Sequence, residues 1–355
     1  MNTPAAIHIG QRCIGRGHPC FVAAEVGINH NGDLDLAREM ITCAAKAGAD
    51  GVKFQNYRTE DFIADRSLDY RYISQGNEVV ESQYDMFKRY EMPREWLPEL
   101  KKCCDACGVE FFSTPTSAQG IEDLREVGVG LFKNGSDYLG HLPLIKSFAR
   151  TRIPTVISTG MAEVDEIDAA VGAFREAGGE ELVLLHCTSA YPTPISQANL
   201  NRMVSLSDRY GCPVGFSDHT DGAHAAELAC AMGAVFIEKH FTTSHDLPGP
   251  DHRFSSTPGE MADLIRRVRD LDAILGSSSI QAGDAEQSNR ARFRLSCHAS
   301  RAMKAGSSLS AGDITISRPA DGLPPVEADN LAGRLIVRDL KAGEPITSEC
   351  LDPQL

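Results

Sequence analysis

Polar side chains stand at the ends of short apolar runs along most of the chain. Two of them are lysines, Lys53 and Lys133, and many of the others carry hydroxyl groups. Taken run by run, these groups are Glu25, Lys53 with Gln55, Ser113 with Thr114, Lys133 with Ser136, Ser158 with Thr159, Ser189 with Tyr191, Ser217 with Asp218 and His219, and Glu238 with His240. Two ammonium groups among hydroxyl donors suit a ligand that carries a phosphate and a carboxylate, as phosphoenolpyruvate does.

Two histidines, His219 and His240, end apolar runs that follow one another in the sequence. On neighbouring parallel strands their imidazoles would converge on one divalent ion, with Glu25, Asp251 or water completing the shell. A two-histidine site with oxygen ligands suits manganese, and magnesium, cobalt and zinc are alternatives. His186 lies inside an apolar run, which favours a buried and hydrogen-bonded histidine instead of a ligand.

Elements that could position these groups alternate between residue 20 and about residue 275, where short β-type runs are followed by longer amphipathic stretches. The predicted strands are Phe21 to Glu25, Gly51 to Gln55, Glu110 to Ser113, Leu131 to Lys133, Thr155 to Ser158, Leu182 to Cys187, Val214 to Ser217 and Val235 to His240. Eight such units close a barrel, whereas an open doubly wound sheet usually has fewer strands and the chain lacks a GxGxxG motif. We therefore predict an α/β fold, a (β/α)8 TIM barrel with its active site at the carboxyl ends of the strands.

Signals for helix starts and changes in composition indicate where the domains begin and end. Thr257, Pro258 and Glu260 offer an N-cap, a first-turn proline and a capping-box glutamate for the eighth helix. We predict the barrel over residues 1–280, a linker rich in Ser, Gly, Gln and Asn over 281–294, and a small β-rich domain over 295–355. A domain of that size is too small to carry the chemistry alone. The long polar and aromatic segment 58–92 is expected to be a lid or a partner-contacting loop.

Charge and composition exclude several classes of protein. The chain has 35 basic and 49 acidic residues, and its net charge of −14 opposes binding to nucleic acid or to an anionic membrane. No apolar run is long enough for a membrane span and the N-terminus lacks a signal-peptide pattern, so we expect a cytoplasmic protein. The 11 cysteines are scattered, and the spacing of Cys103, Cys104 and Cys107 lacks a second pair, so neither a disulfide scaffold nor a zinc site is predicted.

Several strand-end strings resemble those of the N-acetylneuraminate (sialic acid) synthase family, which includes legionaminic and pseudaminic acid synthases. In chain order they are AEVGINHNG at 24–32, VKFQ at 52–55, STP at 113–115, HCTSAYPTP at 186–194, GFSDHT at 215–220, EKHFT at 238–242 and PGPDH at 248–252, with Arg318 and Pro319 in the tail. They cover nearly the whole chain in the family's order.

The resemblance implies a barrel followed by an antifreeze-like (SAF) domain, usually in a domain-swapped homodimer where Arg318 of one subunit acts at the other subunit's site. It further implies that Lys53, Lys133, Ser136, Ser158, Ser189, Tyr191 and Ser217 hold phosphoenolpyruvate, that His219 and His240 hold the metal, and that Glu25, Gln55 and Asp251 face the sugar and the attacking water. Thr114 and Tyr138 complete the predicted substrate-binding set. The predicted catalytic residues are Glu25, Lys53, Lys133 and Asp251.

The implied reaction joins C3 of phosphoenolpyruvate to the aldehyde carbon of an N-acyl hexosamine and gives a nonulosonic acid and phosphate after water captures C2. The metal serves as Lewis acid, the lysines stabilise the phosphate, and Glu25 is a candidate base for the water. The chain departs from the neuraminate branch at Thr116, Asn134 and Tyr138, which are expected to face the sugar. The acceptor is therefore N-acetylmannosamine or a modified relative, such as a legionaminic-type precursor.

Two other hypotheses stay open. One lysine at a strand end could form a Schiff base, as in a barrel aldolase or lyase that acts on a pyruvate-derived sugar acid. A barrel that has lost its reaction could also bind a sugar or a peptide without catalysis, although the retained lysines and histidines argue against it.

Overall fold

The computed structural model describes residues 6–10 and 12–353. These residues form two compact units, one that ends at Gly276 and one that begins at Ser277. The segment 281–294, which we predict to be a linker, contains a helix over Gln287–Phe293.

The strands of the described residues are β1 (Ile7–Ile9), β2 (Arg12–Ile14), β3 (Phe21–Gly27), β4 (Gly51–Asn56), β5 (Asp69–Ser74), β6 (Asn77–Ser82), β7 (Glu110–Pro115), β8 (Phe132–Asn134), β9 (Thr155–Ser158), β10 (Leu182–Cys187), β11 (Val214–Asp218), β12 (Phe236–His240), β13 (Ser296–Ala299) and β14 (Ile314–Ser317). The α-helices are α1 (Leu34–Lys46), α2 (Thr59–Phe62), α3 (Gln83–Tyr90), α4 (Leu97–Cys107), α5 (Ala118–Glu126), α6 (Leu142–Thr151), α7 (Val164–Glu176), α8 (Asn201–Tyr210), α9 (His224–Ala231), α10 (Pro258–Leu275), α11 (Gln287–Phe293) and α12 (Ala328–Leu331).

Eight parallel strands form the sheet of the first unit, in the order β7, β4, β3, β12, β11, β10, β9, β8. Strands β7 and β8 at its two ends also lie side by side, so the sheet curls into a barrel that is nearly closed. Each predicted strand corresponds to one of these eight, and the predicted barrel is confirmed. The runs read as continuous apolar stretches because both faces of such strands are buried, as in β10, where every residue is buried.

Apolar packing fills the barrel on both sides of its wall. One cluster lies between the strands and the surrounding helices. A second cluster fills the interior, where Phe21 stacks on Phe236 with ring centroids 4.8 Å apart. The antiparallel hairpin of β1 and β2 adds Ile7, Ile9 and Ile14 to this interior cluster, near the amino-terminal ends of the strands.

Local signals in the sequence set the helix boundaries. Helix α10 begins at Pro258, as predicted, and Thr257 and Glu260 form a capping box around the first turn. The segment 58–92 is an insertion between β4 and α4 that contains α2, the hairpin of β5 and β6, and α3. Its aromatic residues pack against the barrel loop at Ile28, which gives the insertion a small core of its own.

The second unit is a small β-rich module with its own apolar core. Strands β13 and β14 pair antiparallel, and isolated antiparallel bridges, including Met303 to Leu340, connect the rest. That bridge joins two similar segments of the sequence, since Met303 and Leu340 each immediately precede a Lys-Ala-Gly sequence. Among the helices of the described residues, none combines the length and apolar character that a membrane span requires.

Candidate functional site

A cavity of about 360 Å³ opens at the carboxyl ends of the barrel strands. It is lined by fourteen of the predicted site residues, namely Glu25, Lys53, Gln55, Thr114, Lys133, Ser136, Tyr138, Ser158, Ser189, Tyr191, Ser217, His219, His240 and Asp251. Arg318, the remaining residue of the predicted set, belongs to the second unit. The predicted action of Arg318 across a subunit interface stays a prediction.

Lys53 lies at the closed end of the cavity and is 3% exposed. Its Nζ lies 2.8 Å from Glu25 Oε1 and donates a hydrogen bond to Thr114 Oγ1 at 3.1 Å. Burial opposes the charge, but the carboxylates of Glu238 and Glu25 outweigh it and raise the pKa of Lys53. Lys53 is therefore a fixed cation at physiological pH.

Lys133 is the second buried cation of the cavity, and it has fewer hydrogen-bond partners than Lys53. Its Nζ donates to the carbonyl of Asn134 at 3.0 Å and lies 3.7 Å from Glu238 Oε1. Burial lowers the pKa of Lys133, and the attraction of Glu238 offsets only part of that effect. Because the amine has donors to spare, an anionic ligand would stabilise its charged form.

Glu238 connects the two lysines, although no role was predicted for it. Its Oε2 lies 3.8 Å from Lys53 Nζ, and its Oε1 accepts a hydrogen bond from Ser217 Oγ at 3.0 Å. Burial acts against the ionised form, but Lys133 and Lys53 outweigh it and lower the pKa of Glu238. Glu238 could have been assigned to the site from the sequence, because it lies at the end of an apolar run, as Lys53 and Lys133 do.

Glu25 has one bonded and one free oxygen. Gln55 Nε2 donates to Oε1 at 3.0 Å, whereas Oε2 is buried without a hydrogen-bond partner among the described residues. Burial raises the pKa of Glu25, and Lys53 opposes that shift. Gly27, in the left-handed region at φ +54°, is needed beside it, because a Cβ there would lie 3.0 Å from Glu25 Oε1.

Hydroxyl groups complete the closed end of the cavity. The Oγ of Ser158 is buried and has no hydrogen-bond partner among the described residues. Ser136 Oγ accepts a hydrogen bond from the backbone N–H of Gly160 at 3.0 Å, which leaves its own proton for a ligand. A buried hydroxyl without a partner is unusual in a folded protein, so Ser158 indicates a polar ligand at this end.

His219 and His240 meet at the rim of the closed end, with ring centroids 5.4 Å apart. His219 Nδ1 lies 2.9 Å from the carbonyl oxygen of Thr188, which fixes the ring and leaves Nε2 as a lone-pair donor. His240 Nδ1 is buried, lies 3.7 Å from Asp251 Oδ2 and has no hydrogen-bond partner among the described residues. Burial and the charge of His219 lower the pKa of His240 well below its usual value, so its ring is neutral.

The two imidazoles could bind a divalent ion through their ring nitrogens. Burial opposes the charge of His219, but the hydrogen bond and charge of Cys187 outweigh it and raise the pKa of His219. The neutral His240 ring offers its Nδ1, which has no hydrogen-bond partner among the described residues, and His219 would offer Nε2 after loss of its proton. The described residues contain no group of three or more His, Cys, Asp and Glu side chains arranged to hold a metal. Oxygen atoms of substrate or water would have to complete the shell.

Asp251 stands beside the histidines, as predicted. Burial and the nearby charge of Glu25 raise its pKa to about 7. Asp251 can therefore hold a proton near neutral pH, which suits a group that donates or accepts one during a reaction.

The outer half of the cavity is aromatic and comes mainly from the insertion. Tyr57, Phe62 and Phe87 pack edge to face around one another, with centroid distances of 5.1 to 5.5 Å. Tyr70 and Met86 extend this wall. We call these five residues the aromatic roof.

The segment 58–92, which we predict to be a lid or a partner-contacting loop, supplies most of the aromatic roof. The roof residues themselves are not among the predicted site residues. The cavity lining also includes Thr116, Tyr138 and the unpredicted Asp137. Burial raises the pKa of Asp137, and Lys133 and Lys53 lie near enough for their charges to oppose that shift. His186, in contrast, is buried and lies 2.6 Å from the carbonyl of Ala198, as predicted for a histidine without a ligand role.

Comparison with known proteins identifies the family. The model of the NeuB family matches residues 40–280, and the model of the SAF domain matches residues 296–352. The chain belongs to the NeuB family. This NeuB-family chain is 36% identical over 342 residues to the N,N'-diacetyllegionaminic acid synthase of Legionella pneumophila, covering 95% of this chain and 96% of the relative.

Two further relatives show the breadth of the match. Over 345 residues the chain is 31% identical to the N-acetylneuraminate-9-phosphate synthase of Mus musculus, covering 96% of this chain and 95% of the relative. The solved N-acetylneuraminic acid (sialic acid) synthetase of Leptospira borgpetersenii, in complex with citrate, matches with a TM-score of 0.73 and 32% identity, over 81% of this chain and 96% of that one. The resemblance predicted from the strand ends is confirmed, and the chain is an enzyme of the nonulosonic acid synthase type.

Proposed function

We propose that this enzyme is a transferase that condenses phosphoenolpyruvate with an unphosphorylated N-acyl hexosamine aldehyde, giving a nonulosonic acid and phosphate. The observation that carries the proposal is the pair of buried lysines, Lys53 and Lys133, which converge with an unpartnered serine hydroxyl beside two histidines. Family membership supports the reaction class, because the named relatives make nonulosonic acids.

The donor would bind at the closed end of the cavity. Lys53 and Lys133 supply two ammonium groups, and Ser158 offers a buried hydroxyl that has no hydrogen-bond partner in the part of the chain that the structure describes. Ser136, Ser189 and Ser217 line the same end. A phosphate and a carboxylate together accept several hydrogen bonds, which these ammonium and hydroxyl groups can donate. Because the pocket is buried, each charged hydrogen bond is stronger there than in water.

A divalent ion, for which we propose manganese with magnesium or cobalt as alternatives, would be held by His219 and His240. When bound, it would supply Lewis acidity toward the aldehyde oxygen of the acceptor. The two rings stand at the ends of the neighbouring strands β11 and β12, and both line the cavity.

The proton transfers fall to two carboxyl groups of this chain. As C3 of the donor bonds to the aldehyde carbon, the aldehyde oxygen must gain a proton, and protonated Asp251 lies beside His240 to supply it. C2 of the donor then adds water, and the free Oε2 of Glu25 can take the proton that the water loses. The bond between C2 and the phosphate oxygen breaks last, as the C2 hydroxyl passes its proton to the departing phosphate and becomes the ketone carbonyl, while the lysines hold that phosphate.

The outer half of the cavity supports an acceptor without a phosphate group. The cations among the first-unit residues that line the cavity are Lys53 and Lys133, both at the closed end. The aromatic roof of the outer half would leave a phosphate desolvated without a counter-ion. The mouse relative is named for a 9-phosphate product, so the two chains are expected to differ here.

The proposal is tested by measuring phosphate release from phosphoenolpyruvate with N-acetylmannosamine, its 6-phosphate and acylated 6-deoxy amino relatives. We expect release with an unphosphorylated sugar and none with the 6-phosphate. Binding of phosphoenolpyruvate without release in the presence of any of these sugars would contradict the acceptor class, and failure to bind phosphoenolpyruvate would contradict the reaction.

A Schiff-base aldolase is the second candidate, because burial lowers the pKa of Lys133 and a neutral amine is a nucleophile. Borohydride reduction in the presence of pyruvate separates the two reactions. The aldolase would gain the mass of a reduced pyruvate adduct on Lys133, whereas the synthase would stay unmodified.

We also propose a homodimer, which rests on the family resemblance. Sizing at two protein concentrations tests it, and a monomer at both concentrations would contradict it.

A further inference from the structure

Strands β11 and β12 pair in a register that places three residue pairs in succession. Ser217 is opposite Glu238 and Asp218 is opposite Lys239, so His219 and His240 follow as the next positions. Side chains alternate between the two faces of a strand. Accordingly, Ser217, Glu238 and both histidines line the cavity, whereas Asp218 and Lys239 do not.

The pair on the other face is buried, and both of its charged groups are hydrogen-bonded. Lys239 Nζ donates to Asp218 Oδ2 at 2.8 Å and to the carbonyl oxygen of Thr220 at 2.7 Å. The other oxygen of Asp218 accepts from the backbone N–H and the hydroxyl of Thr220, both at 2.8 Å. Both charged side chains are at most 2% exposed.

These contacts hold the two residues that flank His219 in the sequence. Asp218 precedes it and Thr220 follows it, and Lys239 binds both of those residues from the neighbouring strand. Lys239 also immediately precedes His240. One ammonium group therefore ties the backbone around one histidine to the backbone that carries the other.

We propose that Asp218 and Lys239 are positioning residues whose ion pair fixes the separation of His219 and His240 for a shared divalent cation. This inference rests on the metal site of the proposed function. Stability alone is a weak reason for such a pair, because desolvation of two charges offsets most of their attraction and apolar replacements are often as stable. A site that binds one ion through two strands has a stronger need for a fixed distance, since supporting contacts commonly change metal affinity by about 10- to 100-fold.

The test compares Mn²⁺ binding by the full-length protein, measured by titration calorimetry, across matched variants. Asp218→Asn combined with Lys239→Met removes the cross-strand bond, leaves no unpaired buried charge, and retains an oxygen at residue 218 for Thr220. The control is Asp50→Asn, which breaks the buried contacts of Asp50 with Arg269 and Arg12 at the start of β4. The variants His219→Ala and His240→Ala define the loss of the site itself.

We expect the double variant to bind Mn²⁺ about 10- to 100-fold more weakly while its affinity for inorganic phosphate stays within about twofold. Asp50→Asn should lower the melting temperature and leave Mn²⁺ affinity unchanged, which separates positioning from general stability.

Normal Mn²⁺ binding by the double variant, with loss in both histidine variants, would overturn the positioning role and leave the proposed metal site intact. A wild-type protein that binds Mn²⁺ no better than the histidine variants would overturn the metal site and the positioning role together.

Discussion

The closed end of the cavity and its outer half are built in different ways. The closed end is made of strand-end side chains that are buried, charged and held by short contacts, as between Lys53 and Glu25 at 2.8 Å. The outer half is made of aromatic side chains, most of which come from an insertion with a core of its own. Under the proposed function, the barrel itself fixes the donor site, whereas the choice of acceptor can vary through the insertion without disturbing the barrel.

The largest effect is expected at the closed end, from Lys133→Met. Loss of this ammonium group should lower kcat/KM by about 100- to 1000-fold, because its charge would stabilise the departing phosphate. Steady-state phosphate release measures the loss. Lys102→Met, on the exposed surface of α4, is the control and should keep the wild-type rate.

Equal activity of the Lys133→Met variant and the control would show that the closed end does not bind the phosphate. The proposed division into a closed end that binds the donor and an outer half that binds the acceptor would then have no support.

A second change, Ser158→Ala, separates binding from stability. Its hydroxyl is buried and has no hydrogen-bond partner within residues 6–10 and 12–353, so removing it should leave the melting temperature unchanged or slightly higher. The KM for phosphoenolpyruvate should rise by about 10- to 150-fold, because a hydrogen bond to a charged group is worth roughly 1.5 to 3 kcal/mol. Ser147→Ala, at an exposed helix position, serves as the control, and an unchanged KM at Ser158 would mean that this serine does not face the donor.

The smallest effect is expected in the aromatic roof, from Phe62→Ala. The KM for the acceptor sugar should rise about tenfold, while the KM for phosphoenolpyruvate stays within about twofold, since an apolar contact is lost only on the acceptor side. Leu68→Ala, in the same insertion, is the matched control because Leu68 is half exposed and does not line the cavity. A rise in both KM values would contradict the division of the cavity into donor and acceptor halves.

The sequence allowed predictions where the position of a residue in a strand indicates what that residue does. Polar residues at strand ends must meet at one face of a barrel, so Lys53, Lys133, His219 and His240 could be selected before any coordinates. Eight strands were recognisable because buried parallel strands are continuous apolar runs.

Side-chain pairing and the insertion could not be predicted in the same way. Glu238 was visible as a strand-end residue, but its position between two lysines from non-adjacent strands depends on the closed barrel. The aromatic roof depends on how the segment 58–92 folds against Ile28, and its packing follows no repeating pattern in the sequence. The role of Arg318 stays a prediction.

The most direct test of the central claim is phosphate release from phosphoenolpyruvate, with Mn²⁺ present or chelated, in the presence of an unphosphorylated N-acyl hexosamine. The account predicts release that requires the sugar and the metal together, and that falls by about 100-fold or more in Lys133→Met. Release that continues after chelation, or a chain that binds no phosphoenolpyruvate at all, would contradict it.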